Sequence, residues 1–258
     1  RRIRHLAAGL GQWLAHLQAN QPRKLFAPGD HAHPTTFVAI IGDHDVDRLA
    51  SAIGATSSAT LSRAEAAAAV LLLQPFPPII YAGDEIAMLG TKQDYGSDAN
   101  DIPMREPFKW NAANDTAPMS LYHLDSTNPL VVTNRFSQSG DGRSVEEQQT
   151  SGPLPAYKQL IQLRHDNTAL RRGAYHAIPA ADGAVWAFLR SYEQGEAPIA
   201  DASQSLIAAV NLRDVPTTTT LDLTALYPAG RPSVTATNIV TGAALPSITP
   251  ASASAHTI

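Results

Sequence analysis

The fold of this chain is decided by the apolar run Thr36-Phe37-Val38-Ala39-Ile40-Ile41, which Gly42-Asp43-His44-Asp45 follows directly. A near-continuous run of β-favouring residues suits a strand that is buried on both faces, as in a parallel sheet. In parallel α/β folds, polar residues that leave the carboxyl end of a strand are the first place to look for an active site. The stretch therefore predicts a buried strand with a candidate site at its end.

A helix and a second strand are predicted next along the chain. Ser62-Arg63-Ala64-Glu65 has the pattern of a capping box, and the following residues to Leu73 are rich in Ala and Leu, which favour helix. The apolar run Ile79-Ile80-Tyr81-Ala82 comes after a proline-rich break and ends at Gly83-Asp84-Glu85. Strand, helix and strand predict a right-handed βαβ unit with two parallel strands.

The C-terminal third of the chain has a different hydrophobic period. Pro155 is expected in the first turn of a helix that closes the first domain, residues 1–172. From Gly173 onward the apolar residues alternate, and Asp182-Gly183 lies between two strand candidates, which is typical of a β-hairpin. We expect residues 173–258 to form a small antiparallel β-sandwich. Its strand candidates are Tyr175–Pro179, Val185–Arg190, Ser205–Asn211, Thr217–Asp222 and Val234–Ile239.

Composition excludes several functional classes. Nineteen Lys plus Arg against 23 Asp plus Glu give a net charge of -4, which does not indicate a nucleic-acid or membrane-surface partner. The longest apolar run, residues 66–73, is far shorter than the ~20 residues of a membrane span. The absence of cysteine excludes disulfides and a thiol nucleophile, and it leaves the compartment open.

Three ordered motifs resemble those of glycoside hydrolase family 13, the α-amylase family. Asp43-His44-Asp45-Val46-Asp47-Arg48 is similar to the Asn-His-Asp segment that ends the seventh barrel strand, with Asp43 in place of the usual Asn. Pro78 to Met88 resembles the eighth strand and the turn after it, and Asp101 to Trp110 resembles the Pro-Met…Trp loop that follows. The resemblance implies the C-terminal portion of a (β/α)8 barrel, followed by the family's C-terminal β domain.

The resemblance also implies roles for individual residues. Family members are retaining glycosidases that use a nucleophilic carboxylate, a general acid and a third, assisting carboxylate. By resemblance Asp45 is the third acid and stabilises the transition state, while His44 and Asp43 bind the substrate. Trp110 is a candidate platform for sugar stacking, with packing over an apolar patch as the equal alternative.

The nucleophile and the general acid are expected upstream of residue 37, where neither family motif is found. We therefore expect this chain to be the C-terminal part of an α-amylase-type enzyme and to be inactive alone. Its expected substrate is an α-1,4-linked glucan or oligosaccharide. For compartment, the resemblance favours an extracellular or periplasmic protein, with a cytoplasmic one as the alternative. Oligomeric state is not predicted.

The sequence predicts no metal ion or cofactor, with calcium as an alternative. The acidic residues Asp94, Asp98 and Asp101 could hold calcium through oxygen ligands, but a solvated acidic loop is the favoured interpretation. Asp84 and Glu85 are interpreted as a pair that caps a helix N-terminus, in preference to a catalytic role.

Other functions stay open at this stage. The same motifs serve α-glucosidases, trehalose- or sucrose-active enzymes and transglycosylases, and a non-catalytic carbohydrate-binding subunit is a further alternative. A third hypothesis treats Asp43 and Asp45 as a working pair of an inverting hydrolase, on the premise that alternate residues of one strand share a face.

Overall fold

The computed structural model describes residues 38–92, 94, 98–107, 109–111, 139–192, 205–225 and 233–258. These residues divide into two compact units, with the division between Asp166 and Asn167. The sequence-based boundary lies slightly later, at residue 172, after the short helix Thr168–Arg172. In the described part of the chain, no helix has the length and apolar character needed to cross a membrane.

The first unit contains a βαβ arrangement with a second helix behind it. Strand β1 pairs with β2 in parallel, with Ile40 opposite Ile79, which confirms the predicted parallel pair. The elements of this unit are β1 (Ala39–Ile40), α1 (Leu49–Ile53), α2 (Ser62–Leu73), β2 (Pro78–Ile79) and α3 (Pro153–Asp166), with 3-10 turns at Asp84–Ile86 and Asp98–Met104.

The strands are shorter and more exposed than predicted. Ile40 is 47% exposed and Ile79 is 44% exposed, so burial on both faces is wrong for the described sheet. The physical reason is that β1 and β2 have only each other as hydrogen-bonded neighbours among the described residues. Apolar side chains on such a narrow sheet remain in contact with solvent.

Helix α2 supplies most of the core of this unit. Its buried residues are Ala64, Ala67, Ala68, Val70, Leu71, Leu72 and Leu73. Ala68 and Leu72 pack against Tyr157 of α3. The predicted capping box is wrong: the helix begins at Ser62 itself, after Leu61, and no side chain caps it. Ser62 is therefore already helical and is not placed to accept from the third amide.

The C-terminal end of α2 is held by side chains. The buried Gln74 amide donates to Leu71 O at 3.0 Å, and its oxygen accepts from Phe76 N at 2.9 Å. Arg164 of α3 donates to Leu72 O and Gln74 O, both at 2.7 Å, and to Phe76 O at 3.0 Å. Since carbonyls at a helix end lack intrahelical partners, these contacts satisfy them and join α2 to α3. Helix α3 begins at Pro153, two residues before the predicted Pro155.

The second unit begins with the helix Thr168–Arg172, α4. Strands β3, β4 and β5 form an antiparallel sheet, which confirms the predicted hairpin around Asp182. The rings of Tyr175 and Phe188 stack at 5.1 Å, and Trp186 lies 4.5 Å from Phe188, so aromatic side chains pack in this sheet's core. That the sheets form a sandwich stays a prediction. The strands are β3 (Ala174–Ile178), β4 (Val185–Ser191), β5 (Ser205–Asn211), β6 (Thr220–Leu221), β7 (Val234–Thr237), β8 (Ala244–Ile248) and β9 (His256–Thr257), where β6 pairs with β9 and β7 with β8.

Candidate active site

A turn after β1 carries the three residues that the sequence singled out. The backbone N–H of Asp45 donates to Oδ1 of Asp43 at 2.7 Å. Asp43 therefore uses one carboxylate oxygen to shape the turn, a common role for Asp in loops. The premise of the paired-carboxylate hypothesis is wrong, because Asp43 and Asp45 lie in this turn and not in a strand.

The carboxylate of Asp45 is the centre of the site. Its Oδ1 lies 3.2 Å from Nε2 of His44 and 3.2 Å from Nη2 of Arg105. The Asp45 side chain is 60% exposed, so the carboxylate is held between two nitrogen donors while its outer side faces solvent. A fixed, accessible carboxylate can stabilise positive charge that develops on a bound molecule.

Two basic residues from the loop after β2 complete this cluster. Nζ of Lys92 lies 2.9 Å from Oδ1 of Asp101 and donates to the backbone O of Asp45 at 3.3 Å. Arg105 also contacts Oδ2 of Asp101 at 3.2 Å. The hydrogen bond with Lys92 lowers the pKa of Asp101, which keeps Asp101 ionised. The loop thereby fixes Arg105 against Asp45. The sequence analysis missed Lys92 and Arg105, for which no local pattern signalled the contact.

The contacts of Asp101 bear on the predicted alternative of a calcium site, which stays a prediction. Both carboxylate oxygens of Asp101 face cationic groups, Lys92 and Arg105. The side chain of Asp98 lies outside the described residues. Within the ranges that the structure describes, no three His, Asp or Glu side chains are grouped to hold a metal ion.

Arg48 connects the turn after β1 to the end of β2. Its Nη1 donates to Ala82 O at 2.8 Å, and its guanidinium lies 4.8 Å from the centroid of the Tyr81 ring. Burial lowers the pKa of Arg48. Tyr81 in turn donates from its hydroxyl to Met104 O at 2.8 Å. The chain of contacts from Arg48 through Tyr81 fixes the ends of both strands and the loop that carries Arg105.

The Gly83-Asp84-Glu85 turn differs from the predicted helix cap. Gly83 has φ +103, and a β carbon there would lie 2.6 Å from Nη1 of Arg48 and against the sulfur of Met88. Oε2 of Glu85 accepts from Gly83 N at 2.8 Å, whereas no side chain caps the 3-10 turn that Asp84 begins. The cap interpretation is therefore wrong for Asp84, which is buried. Burial raises its pKa to about 7, against the attraction of Arg48.

Trp110 lies in a different part of the unit. Its side chain is 58% exposed, so close packing in the core is excluded. The backbone O of Trp110 accepts from Glu146 N at 3.0 Å, which anchors this segment to the stretch before α3. The indole ring is accessible to a ligand, but a stacking role is still a prediction. The sequence also predicts that His31 and His33, just before Pro34, are exposed loop residues, and both lie outside the described residues.

Comparison with known proteins bears on this arrangement. A family model described as the catalytic domain of α-amylase matches residues 11–173. The α-amylase SusG of Bacteroides thetaiotaomicron is 31% identical over 135 residues, which are 52% of this chain and 16% of SusG. α-Amylase 3 of Dictyoglomus thermophilum is 25% identical over 168 residues, 64% of this chain and 29% of that protein. The chain thus spans less than a third of the length of either relative.

Solved structures show the same fold at low identity. A MutB mutant from crystals soaked with trehalulose has a TM-score of 0.56 at 20% identity, over 93% of this chain and 44% of MutB. The α-amylase of H. orenii has a TM-score of 0.50 at 21% identity, over 80% of this chain and 36% of that enzyme. These similarities fit a partial barrel for the first unit. Since the family model covers more than half of the sequence, the chain belongs to the α-amylase family.

Proposed function

We propose that the protein acts as an α-amylase-type retaining glycosidase on α-1,4-glucosidic bonds of starch or malto-oligosaccharides. The observation that supports this most directly is the carboxylate of Asp45, held at a strand end by His44 and Arg105 and open to solvent. The two curated relatives reported above are both named α-amylases, which favours this substrate over others of the family.

The described residues have distinct roles in this proposal. Asp45 stabilises the positive charge that develops on the sugar as the glycosidic bond breaks, because a preorganised carboxylate costs little reorganisation. Arg105 and His44 orient that carboxylate. His44 also donates to a sugar hydroxyl beside the scissile bond. Asp43 shapes the turn and presents its second oxygen to the substrate, and Trp110 offers an aromatic face for a sugar ring.

The domain assignment forms part of the same proposal. Residues 1–172 would be the C-terminal part of the catalytic barrel, with β1 and β2 as its seventh and eighth strands. Residues 173–258 would be the C-terminal all-β domain. Neither family motif for the nucleophile and the general acid occurs in residues 1–36, so the 258-residue chain alone would be inactive. The antiparallel strands β3 to β9 support the assignment of the second domain.

The test is an activity assay on two samples. One sample is the 258-residue chain, and the other is the product of any reading frame that continues upstream of Arg1. Each is assayed on maltoheptaose, sucrose and trehalose, and proton NMR records the anomer that is released first. We expect cleavage of maltoheptaose by the extended product only, with the α-anomer first, because retaining enzymes conserve configuration.

Each other result has a defined meaning. Preferential turnover of sucrose or trehalose by the extended product would replace the α-1,4-glucan substrate with that of another branch of the family. Release of the β-anomer would contradict retention. The remaining case is an upstream reading frame that adds no further domain. If its product binds maltoheptaose tightly without turnover, the result supports a carbohydrate-binding subunit and overturns the enzyme proposal.

A further inference from the structure

Asp84 is a buried carboxyl group that the proposed chemistry does not use. It is 2% exposed, and neither of its side-chain oxygens has a hydrogen-bond partner in the described part of the chain. Buried polar groups in native proteins are nearly always hydrogen-bonded, so a buried group without such bonds calls for a physical explanation. The explanation lies in what the carboxyl group touches.

The carboxyl group of Asp84 packs against the backbone of Gly42. A β carbon built on Gly42 would lie 2.7 Å from Oδ2 of Asp84 and 3.3 Å from its Cγ, which leaves no room for a side chain. Gly42 follows β1 and Asp84 follows β2, and these strands are paired in parallel. Since Gly42 directly precedes Asp43-His44-Asp45, Asp84 contacts the base of the turn that carries the site.

Four titratable groups surround this carboxyl group. Arg48 comes from the end of the turn after β1, Tyr81 from the end of β2, Glu85 from the same 3-10 turn and Tyr157 from α3. The guanidinium of Arg48 is already directed to Ala82 O. If Asp84 were ionised, the one cation among these groups would be Arg48, which already donates to Ala82 O. The other three groups are the carboxyl group of Glu85 and the phenols of Tyr81 and Tyr157.

We propose that Asp84 is a positioning residue whose carboxyl group supports the Gly42–Asp45 turn and moves it when the group gains or loses its proton. The neutral acid tolerates close contact with the Gly42 backbone and needs no counter-charge. The carboxylate is drawn toward Arg48 and away from the Gly42 backbone, so the turn loses its support. Because burial raises the pKa of Asp84 to about 7, this exchange takes place near neutral pH.

The inference rests on the proposed function for its meaning, because His44 and Asp45 are the groups that would be moved. Its test is independent of any activity, since it follows the turn itself in the full chain without substrate. The chain is labelled with ¹³C-carbonyl isoleucine and ¹⁵N-glycine. An NMR experiment that passes through the carbonyl carbon then records only the amide signals of glycines that directly follow an isoleucine. The sequence has two such pairs, Ile41-Gly42 and Ile53-Gly54. The Gly54 amide is an internal reference for folding.

The two amides are followed from pH 5 to pH 9 in the wild type and in variants. We expect the Gly42 signal to shift with a midpoint near pH 7 in the wild type, and we expect Asp84→Asn to remove this transition. Glu85→Gln is the matched control and should keep it. Changes of the Gly42 signal that do not arise from Asp84 persist in all three proteins and cancel in the comparison.

Two results would overturn the inference: no transition of Gly42 in the wild type, or an identical transition in Asp84→Asn. Asp84→Ser removes the same charge and serves as a second variant if the Gly54 signal shows that Asp84→Asn does not fold. A Gly42 transition in the chain, together with no glycosidase activity in the product extended upstream of Arg1, would contradict the proposed function and leave the positioning role intact. Glycosidase activity of the extended product without a Gly42 transition in the chain would overturn the positioning role and leave the proposed function intact.

Discussion

The guanidinium of Arg105 lies 3.2 Å from the carboxylate of Asp45, although the two residues are 60 positions apart in the chain. Asp101 and Lys92 hold Arg105 in place from the same loop. A carboxylate that keeps one orientation before substrate binds avoids the cost of reorientation during the reaction. The loop after β2 is therefore part of the candidate site, even though the carboxylate itself follows β1.

Replacing Arg105 should weaken catalysis without unfolding the protein. In the product extended upstream of Arg1, we expect Arg105→Gln to lower kcat/KM on maltoheptaose about tenfold, the low end for loss of a charge-assisted contact in an open site. Arg213→Gln is the control, because Arg213 belongs to the second unit and pairs there with Asp182. Equal kcat/KM values for the Arg105 variant and the wild type would show that the ion pair has no role in turnover.

Asp45 and Asp43 should respond very differently to the same isosteric change. Asp45→Asn removes the charge that stabilises the transition state, and we expect kcat to fall at least 10²-fold. Asp43→Asn keeps the oxygen that accepts from Asp45 N, so kcat should stay within about threefold. The measurement is steady-state kinetics on maltoheptaose, with both variants made in the product extended upstream of Arg1. A comparable loss of kcat in the two variants would show that Asp43 takes part directly in the chemistry.

The stability of the protein should depend on Asp84 in a pH-dependent way. Burial raises the pKa of Asp84 to about 7 in the folded protein, above the ordinary 3.8 of an aspartic acid. Folding therefore favours the neutral acid. Its contribution to the free energy of unfolding is complete below about pH 4 and is lost as the pH rises through about 7. Asp84→Asn removes this proton linkage.

Thermal unfolding at pH 5 and pH 8 checks this prediction. The Tm of Asp84→Asn minus the Tm of the wild type should be more positive at pH 8 than at pH 5. The change corresponds to a few kcal/mol at most in the free energy of unfolding. Glu85→Gln should show no comparable rise. A constant difference across this range would mean that Asp84 has an ordinary pKa in the folded protein.

Arg164 should be more important for stability than its neighbours on α3. Arg164→Met removes the donor to Leu72 O and Gln74 O at the end of α2, while Phe76 O keeps its bond from the Gln74 amide, and we expect a loss of about 3 kcal/mol in the free energy of unfolding. Lys158→Met on the same helix is the control, because its amine donates to the side chain of the exposed Gln149. Urea denaturation measures both variants. Equal midpoints would show that water replaces the Arg164 contacts without cost.

The parts of the fold that depend on local patterns could be predicted from the sequence. The parallel pairing of β1 and β2 follows from two apolar runs joined by a helix, and the β3–β4 hairpin follows from alternation around Asp182. The start of α2 could not be predicted in the same way. Ser62 and Glu65 have the spacing of a capping box, yet Leu61 precedes a helix in which Ser62 is the first residue.

The site was predictable only where its residues are adjacent in sequence. Asp43, His44 and Asp45 form one short motif, whereas Arg105 and Lys92 belong to a loop without hydrophobic periodicity. Contacts across such a loop depend on how it folds back, for which composition and spacing carry no signal. The burial of Asp84 is a further case, because Gly-Asp-Glu after a strand is equally typical of an exposed helix start.

The crowded space around Gly83 sets a limit for anyone who engineers this protein. Its backbone has φ +103 and its α carbon faces Arg48 and Met88, so even an alanine would displace the guanidinium that links the two strand ends. Glu85, two positions later, contributes only a backbone-directed oxygen and leaves more freedom. A mutant library aimed at new substrate preferences should hold position 83 constant and vary the loop that carries Arg105.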